Sequence, residues 1–425
     1  LQLVYANAAS YGAVGEGVAI TRQHLDRVLP DRPFAMMGSD HHTVWANTKA
    51  LELAGILHGA STPTGSQIVM AADGTAAGAL YEPGAFLRVL RLTATGGRDA
   101  LGFTHAADPD PAPSAAERAS DREILRKGLA YCAGHGFTSL HNMDGNFYTL
   151  DLLQDIDAGG DFRCRVQSPF HMKNFFGIEK LAEADEMRRR FASERVYSGR
   201  VKLFMDGVME SWTAFTLEDY PDKPGCTGEP NFEAAQWNEI AIAADRRGLQ
   251  IDVHAIADAA IRRTLDGYAA AQTANGRRDS RHRIEHVETI HANDVPRFRD
   301  LGVIASMQPT HAPGIVFPAW PALARIRPSQ LPLAYAWSTL RTVSPAMPFA
   351  SDWPVAPIDP MLSFKAAMTR QPFGPGLPDH RQSLMQCIAG YTREAAYTEF
   401  AEARKGRLKP GMLADVTVFS ADLER

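Results

Sequence analysis

Four short apolar runs in the second half of the chain each contain one polar residue of a type that can do chemistry. The polar residues are Lys202, His254, His286 and Asp352, and the runs span residues 201–206, 251–254, 283–286 and 349–352. Each run is followed by a loop and a helical pattern, which is the layout of a parallel barrel whose strand ends carry functional groups. Histidine and aspartate bind borderline metals such as zinc, and a lysine can do so once it is chemically modified. The pattern therefore indicates a metal site at one end of a barrel.

Each of these residues also has a purely structural interpretation. An unmodified Lys202 is a poor ligand, because its ammonium repels cations and is costly to bury. Reaction with CO2 would convert it into a carbamate anion, whereas the structural alternative pairs the ammonium with Asp206 or Glu210. The two histidines could be core residues whose nitrogens bond to the backbone, and Asp352 could cap the turn around Pro354. Their shared position at successive strand ends favours the chemical interpretation.

Further polar residues are candidates for lesser roles. Substrate contact is predicted for a group of residues near other strand ends and loops, each of which could instead simply bond to the backbone: His42, His141, Gln308 and His311. Asp206 closely follows Lys202 and could orient a metal ligand by hydrogen bonding. The long loop over residues 207–231 follows the Lys202 strand directly, which makes it a candidate lid.

The elements that would position these residues change in character near residue 115. Before it, we predict an irregular connection over residues 1–20, helices over 21–29 and 47–54, a strand over 33–37, a β excursion over 59–79 and a long loop over 96–114. After it, strands and helices alternate at the spacing of a barrel, with right-handed crossovers. Near the end, a Pro-Gly turn precedes an alternating strand over residues 414–419, which needs a partner strand.

Composition limits the classes of function that are open to the chain. The 425 residues are 45% hydrophobic and 22% charged, as in an ordinary soluble globular protein. A net charge of −5 gives no reason to expect nucleic acid or an anionic membrane as partner. The four cysteines form no Cys-x-x-Cys pair, so we expect no disulfide scaffold and a cytoplasmic location. No apolar run approaches the ~18 residues that span a bilayer.

Eight short motifs, in a fixed order, give the chain a resemblance to a known family. They are SDHHTVWANTKALELAGI (39–56), GFTSLH (136–141), VKLFMDG (201–207), VHAIAD (253–258), RIEHVE (283–288), QPTH (308–311), ASDWP (350–354) and LKPGMLADVTV (408–418). With these motifs the chain resembles the amidohydrolase superfamily, and within it the amidohydrolase 3 group, which includes YtcJ-like proteins and N-substituted formamide deformylases. The resemblance covers nearly the whole chain.

The resemblance implies an α/β fold in which a metal-dependent (β/α)8 barrel of the TIM type carries a small β-sandwich domain made from both chain ends. It makes Lys202 the ligand of the fourth barrel strand, carboxylated so that it bridges two metals. His254 and His286 become the ligands of strands five and six. Asp352 becomes the residue of strand eight that binds metal and moves protons.

One family feature is missing from the sequence. The family's first strand ends in His-x-His, but no such motif precedes Asp40, and the pair His41-His42 matches an Asp-Gly-His position with His41 in place of the glycine. Strands two to eight can be assigned at Thr138, Arg165, Lys202, His254, His286, Ser306 and Ser351. Because a barrel cannot close without its first strand, and because the chain begins with Leu1 rather than methionine, we expect the sequence to start after that strand. The alternative is that one metal position is truly incomplete, and a removed signal peptide is a further possibility for the start of the chain.

The expected domains follow from this assignment. Residues 1–20 form a connection after the absent segment, residues 21–114 an insertion between barrel strands one and two, residues 115–400 the barrel, and residues 401–425 part of the β-sandwich. Substrate specificity is expected to reside in the 59–114 and 207–231 segments.

The expected activity is metal-dependent hydrolysis of a carbon–nitrogen bond outside peptides, in an N-substituted amide or formamide. One or two divalent ions, zinc or another transition metal, would activate a water, and Asp352 would take its proton and return it to the leaving amine. The expected partners are a small-molecule substrate and a second copy in a homodimer. An esterase or cyclic-amide hydrolase would use the same site, and a metal-free, non-catalytic binding protein of the same fold is the alternative from another class.

Overall fold

The computed structural model describes residues 2–15, 17–38 and 41–424. Ser39 and Asp40, which begin the first of the eight motifs, lie outside the described residues. Within the described ranges the strands are β1 (Val4–Ala9), β2 (Phe34–Gly38), β3 (Thr43–Ala46), β4 (Gln67–Met70), β5 (Ala76–Tyr81), β6 (Ser139–His141), β7 (Arg165–Gln167), β8 (Phe170–His171), β9 (Val196–Tyr197), β10 (Arg200–Phe204), β11 (Gln250–Ala255), β12 (Arg283–His286) and β13 (Ile304–Ser306).

The helices of the described residues alternate with these strands from residue 115 onward. They are α1 (Arg22–Val28), α2 (Thr48–Leu53), α3 (Pro83–Leu90), α4 (Leu101–His105), α5 (Ala115–Gly134), α6 (Phe147–Ala158), α7 (Leu181–Arg190), α8 (Ala234–Arg246), α9 (Asp258–Asn275), α10 (Val295–Leu301), α11 (Trp337–Arg341), α12 (Pro360–Thr369), α13 (Leu384–Tyr391) and α14 (Arg393–Thr398). None of the described helices combines the length and the apolar composition that a membrane crossing requires.

The first third of the chain forms its own sheet, in the order β1-β2-β3-β5-β4. The predicted helices near residues 21–29 and 47–54 are confirmed, as is the β excursion. Asn47 caps α2, because its side-chain oxygen accepts the N–H groups of Ala50 at 2.9 Å and Phe34 at 3.0 Å. This one buried amide therefore ties the start of the helix to the neighbouring strand.

The prediction of an irregular connection over residues 1–20 was wrong for β1. Val4 and Tyr5 pair in parallel with Phe34 and Ala35 of β2. The composition of a segment rich in Gly and Ala does not predict such long-range pairing. The predicted 96–114 loop also contains α4, a helix of 5 residues.

The remaining strands lie in parallel and in chain order. One sheet has the order β6-β7-β9, and the other has β13-β12-β11-β10-β8. Beyond β13, an isolated parallel bridge joins Met307 to Phe349. The predicted order is therefore confirmed within each sheet, for strands two and three and for strands four to seven, but residues 349–352 form this bridge in place of the strand predicted at Ser351.

Alternation along the parallel strands separates an apolar face from a polar one. Val201 and Leu203 of β10 are fully buried and pack in the core with residues of the surrounding helices. Lys202 and Phe204, between and beyond them, line the interior cavity, as does His254 of β11. Since side chains alternate along a strand, the apolar residues anchor the sheet to its helices and leave the polar ones pointing inward.

The predicted strand over residues 414–419 does not form within the described residues. The segment is held by side chains instead: Thr417 donates to the carbonyl of Gly136 at 2.7 Å, and Arg165 pairs with Asp415 at 2.8 Å. A strand needs a neighbour that supplies ladder hydrogen bonds, and the described residues place none beside this segment.

Candidate functional site

The C-terminal ends of three neighbouring strands bring Lys202, His254 and His286 together. β10 and β11 pair so that Phe204 lies opposite His254. The ring centroids of His254 and His286 are 4.6 Å apart, and that of Phe204 is 4.7 Å from His254. The ammonium nitrogen of Lys202 lies 4.4 Å from the centre of the Phe204 ring. The three predicted ligands therefore share one end of the parallel sheet, with Lys202 deeper than the two histidines.

Hydrogen bonding fixes which nitrogen of His254 carries the proton. Nε2 of His254 lies 3.0 Å from the carbonyl oxygen of Gly207, which can only accept. Asp206 lies beside it, with Oδ1 3.7 Å from the same nitrogen, and its carboxylate accepts three backbone N–H groups, from Phe215, Ile256 and Ala257. Nε2 is therefore the donor and Nδ1 keeps its lone pair, so that His254 is prepared to bind a cation through Nδ1.

A parallel argument assigns the proton of His286. Nδ1 of His286 lies 2.8 Å from Oε1 of Gln308, and the amide nitrogen of Gln308 lies 3.3 Å from Oε2 of Glu285. Because the amide nitrogen must face the carboxylate, the amide oxygen faces the histidine and accepts from Nδ1. Nε2 of His286 then keeps its lone pair. Both ends of the Gln308 amide are engaged by protein groups, and its predicted contact with substrate stays a prediction.

Asp352 reaches the same end of the sheet from the segment that follows the Phe349 bridge. Its Oδ2 atom lies 3.8 Å from Nε2 of His311. One ligand atom each from His286, His311 and Asp352 lie within 4.8 Å of one another. His286 and Asp352 both have positive φ, at 79° and 60°, and such strained conformations cluster at functional sites because the surrounding fold enforces them.

Lys202 is buried without a charged partner. Within the described part of the chain its ammonium makes no ion pair and no hydrogen bond, so neither Asp206 nor Glu210 plays the role that the structural alternative gave them. Burial lowers the pKa of Lys202, and the carboxylates of Glu285 and Asp352 act against this effect. A lowered pKa favours the neutral amine, which is the form of lysine that reacts with CO2.

The electrostatics keep both histidines neutral, as metal ligands must be. Burial holds the pKa of His254 well below its usual range, and the charges of His42 and Lys202 add to the effect. Burial does the same to His286, assisted by His254 and His311. Two neutral imidazoles with an available lone pair each, a carboxylate and a lysine that can be carboxylated are a donor set that fits a divalent cation.

His42 approaches the site from the N-terminal sheet. Its ring lies 5.4 Å from that of His254, and its Nδ1 atom lies 2.8 Å from Oε2 of Glu82. The other oxygen of Glu82 accepts the hydroxyl of Thr213 at 2.9 Å, from the loop that follows β10. Glu82 was not assigned from the sequence, because its contacts are 40 and 131 residues away along the chain.

A second cluster that the sequence did not predict lies at the end of β8. Nε2 of His171 lies 2.9 Å from Nζ of Lys173, and Nδ1 lies 3.7 Å from the carboxylate of Asp144. Burial lowers the pKa of Lys173 and raises that of Asp144, and the attraction between the two charges opposes both shifts. The polar end of the Phe170–His171 pair could have signalled this cluster, but the sequence predicts a strand at Arg165 and none at residues 170–171.

His141 lines the same cavity as the predicted ligands, but both of its ring nitrogens face other protein groups. Its Nε2 atom is 3.3 Å from Oε2 of Glu399, and its Nδ1 atom is 3.2 Å from a guanidinium nitrogen of Arg283. Burial lowers the pKa of His141 to about 4 despite the opposing charge of Glu399. The structure therefore places His141 in a buried polar network between β6 and the end of α14, and its predicted contact with substrate stays a prediction.

A cavity of about 1400 Å³ adjoins the predicted ligands, and its lining includes Lys202, His254, His286 and Asp352. A smaller recess at the mouth, of about 50 Å³, is lined by both histidines and by His42, His311 and Asp352, with aromatic side chains of Tyr11, Phe317 and Trp320 around them. The arrangement can therefore hold a cation and a small organic molecule side by side.

Comparisons with known sequences agree with the motif pattern. A family model described as the amidohydrolase family matches residues 13–425. The chain is 28% identical over 415 residues to the protein LONG AFTER FAR-RED 3 of Arabidopsis thaliana, covering 94% of this chain and 66% of that protein. It is 26% identical to the putative amidohydrolase YtcJ of Bacillus subtilis, covering 95% and 72%, and 24% identical to the N-substituted formamide deformylase of Arthrobacter pascens, covering 95% and 71%.

These relatives are longer than the chain, which spans 66% to 72% of their lengths. Among solved structures, an uncharacterised metal-dependent hydrolase from Pyrococcus horikoshii aligns over 99% of this chain and 77% of its own, with a TM-score of 0.71 and 22% identity. A similar protein from Pyrococcus furiosus covers 99% and 78%, with a TM-score of 0.67 and 23% identity. At these identities the two structures demonstrate a shared fold.

Proposed function

The chain belongs to the amidohydrolase family, and on that premise we propose that it is a metal-dependent hydrolase of a non-peptide carbon–nitrogen bond in an N-substituted amide or formamide. The observation that carries the proposal is that hydrogen bonds fix which nitrogen is protonated in His254 and in His286. Nδ1 of His254 and Nε2 of His286 keep their lone pairs, since a carbonyl and an amide oxygen occupy the opposite nitrogens. Histidines that served only to fill the core would not require two fixed tautomers, each leaving one nitrogen with its lone pair, at the same strand end as a buried lysine.

The residues proposed to hold the metal are His254, His286, Asp352 and a carboxylated Lys202, with zinc as the reference ion and one or two ions in total. A bound divalent metal supplies two things to amide hydrolysis: it polarises the carbonyl group and it lowers the pKa of water from 15.7 towards ~7.

Asp352 is proposed to move the protons of the reaction. Its side chain is 32% exposed and faces the cavity, so that it can accept a proton from water and deliver it to the leaving amine. An amine is a poor leaving group unless it is protonated, so this delivery is as important as the first transfer. His42, oriented by Glu82, is proposed to contact the substrate from the opposite wall.

The finer architecture is part of the same proposal. We propose that the parallel strands belong to a closed (β/α)8 barrel and that the C-terminal segment belongs to a small β-sandwich. The parallel order from β6 to the Phe349 bridge supports the first point. A homodimer in the cytoplasm that acts on a small molecule completes the proposal.

The test combines metal analysis with a substrate screen on the full-length protein. Mass spectrometry of the metal content should find one to two equivalents of a transition metal. A panel of N-formyl and N-acyl amines, with esters, cyclic amides and peptides alongside, should show turnover of the first group that Asp352→Asn abolishes. A folded protein that binds no metal, or turnover that survives in Asp352→Asn, would contradict the proposal.

A further inference from the structure

His311 is a buried imidazole with one nitrogen that nothing in the described part of the chain satisfies. It ends the short 3-10 helix Pro309–His311, directly after β13, and is 9% exposed. Nε2 has no hydrogen-bond partner in the described residues. That nitrogen lies 3.8 Å from Oδ2 of Asp352, too far for a hydrogen bond. A buried polar atom without a partner is costly, so a group that the polypeptide does not provide is expected beside it.

The neighbours of this nitrogen identify the group as a cation. One ligand atom each from His286, His311 and Asp352 lie within 4.8 Å of one another. The Nε2 lone pair of His286 is available, because Gln308 accepts from the opposite nitrogen. Two imidazole nitrogens and a carboxylate oxygen that converge without bonding to one another form the donor set of a zinc-type ion.

A second buried carboxylate lies on the opposite side of the His311 ring. The Nδ1 atom of His311 lies 3.8 Å from a carboxylate oxygen of Glu288. Carboxylates commonly lie behind metal-binding imidazoles, and this contact, like the one with Asp352, is longer than a hydrogen bond and does not by itself fix the tautomer. The rings of His286 and His311 are nearly parallel, with an angle of 14° and centroids 5.5 Å apart, so both can present an edge to Asp352.

We propose that His311 is a metal ligand and that His286, His311 and Asp352 form a three-residue position for a divalent cation. The inference rests on the proposed function, but it adds a ligand from the end of β13 that the sequence placed in substrate binding. Three protein ligands leave one position open, as in catalytic zinc sites.

The first test measures metal binding rather than turnover. Co2+ and Zn2+ affinity are measured by competition with a chromophoric chelator for the unmodified protein and for His311→Gln and His311→Ala. Both variants are expected to lose at least about 100-fold in affinity at one site, or one equivalent of metal. His58→Gln, at an exposed histidine of the loop after α2, is the matched control and should bind like the unmodified protein.

The second test does not depend on the folding of a variant. Anomalous diffraction from a metal-loaded crystal of the unmodified protein should place an ion at bonding distance from Nε2 of His311. An ion bound by His254 and His286 with His311 outside its coordination, together with unchanged metal affinity in His311→Gln, would overturn this inference and leave the proposed function standing. A protein that binds no metal at all would instead count against the proposed function.

Discussion

Replacing Gln308 by methionine isolates the contact that orients His286. Methionine fills a similar volume without branching, so packing is retained, but it cannot accept the proton of Nδ1, 2.8 Å away. The imidazole is then free to place its proton on Nε2, which would remove the lone pair from the site. We therefore expect weaker metal binding from a change that touches no metal.

The structure indicates that the loss of metal affinity would arise at His286 and not at Glu285. Glu285, the other partner of Gln308, keeps the guanidinium of Arg283 within 2.9 Å, so the substitution does not leave that carboxylate without a cation. The substitution removes two hydrogen bonds, one to Glu285 and one to His286, and only the bond to His286 fixes a tautomer. Removal of the group that orients a ligating histidine typically weakens metal binding by about 10 to 100-fold, or about 1.4 to 2.7 kcal/mol.

Two measurements test this expectation. Competition with a chelator gives the metal affinity, and nitrogen-15 NMR of histidine-labelled, metal-free protein reports whether His286 carries its proton on Nδ1 or Nε2. The matched control is Gln250→Met on β11, where another buried amide bonds only to the backbone carbonyls of Arg281 and Thr398. This control should lower stability and leave the metal affinity unchanged.

The refuting result is specific. If Gln308→Met binds metal as tightly as the unmodified protein and His286 keeps its proton on Nδ1, then Gln308 does not set the tautomer. A loss of thermal stability without a change in affinity would give Gln308 a structural role alone.

Three further predictions concern other residues. Lys202→Ala should lose metal and turnover, and native mass spectrometry in bicarbonate should find one added CO2 on the unmodified protein that the variant lacks. Asp352→Asn should reduce kcat by about 100 to 10,000-fold with an unchanged circular dichroism spectrum, and an unaltered kcat would remove Asp352 from proton transfer. Burial alone would raise the pKa of Asp245, but hydrogen bonds from His282 and Asn275 and the charge of Arg278 hold it at about 2. This folded-state pKa lies below the unfolded value, so ionised Asp245 stabilises the fold above pH ~4 and loses this effect as the pH falls towards 2. Asp245→Asn should therefore lower the free energy of unfolding in urea by about 2.5 kcal/mol, equally at pH 5 and pH 7.

The positions of the candidate ligands on regular strands could be predicted because their signal is local. His254 and His286 follow apolar residues that alternate with period two, and the strand end fixes the direction of each side chain. The same reasoning succeeded for the helix that begins after Asn47, where one residue supplies the cap. It failed for residues 349–352, because pairing there is limited to a single bridge that neighbouring segments, not local sequence, determine.

The partners of the ligands could not be predicted, since they depend on contacts between distant segments. Gln308 was assigned to substrate from its motif, yet its two hydrogen bonds reach back 22 and 23 residues to β12. His171 and Lys173 lie beyond the point where the predicted strand ended, and only the pairing of β8 with β10 brings them beside Lys202. Hydrogen-bond geometry of this kind appears only once the strands are in register.

The most distant of these contacts indicates how the two parts of the chain cooperate. Glu82 joins His42 of the N-terminal sheet to Thr213 of the loop after β10, and the same region contributes the carbonyl of Gly207 that fixes the proton of His254. Gly207 approaches Glu82 so closely that a Cβ atom built on it would lie 2.4 Å from the Glu82 carboxylate. The absence of a side chain at this position therefore lets the loop pack against the N-terminal sheet. Docking of that sheet and orientation of His254 thus depend on the same few atoms, so the first third of the chain is part of the candidate site rather than an appendage to it.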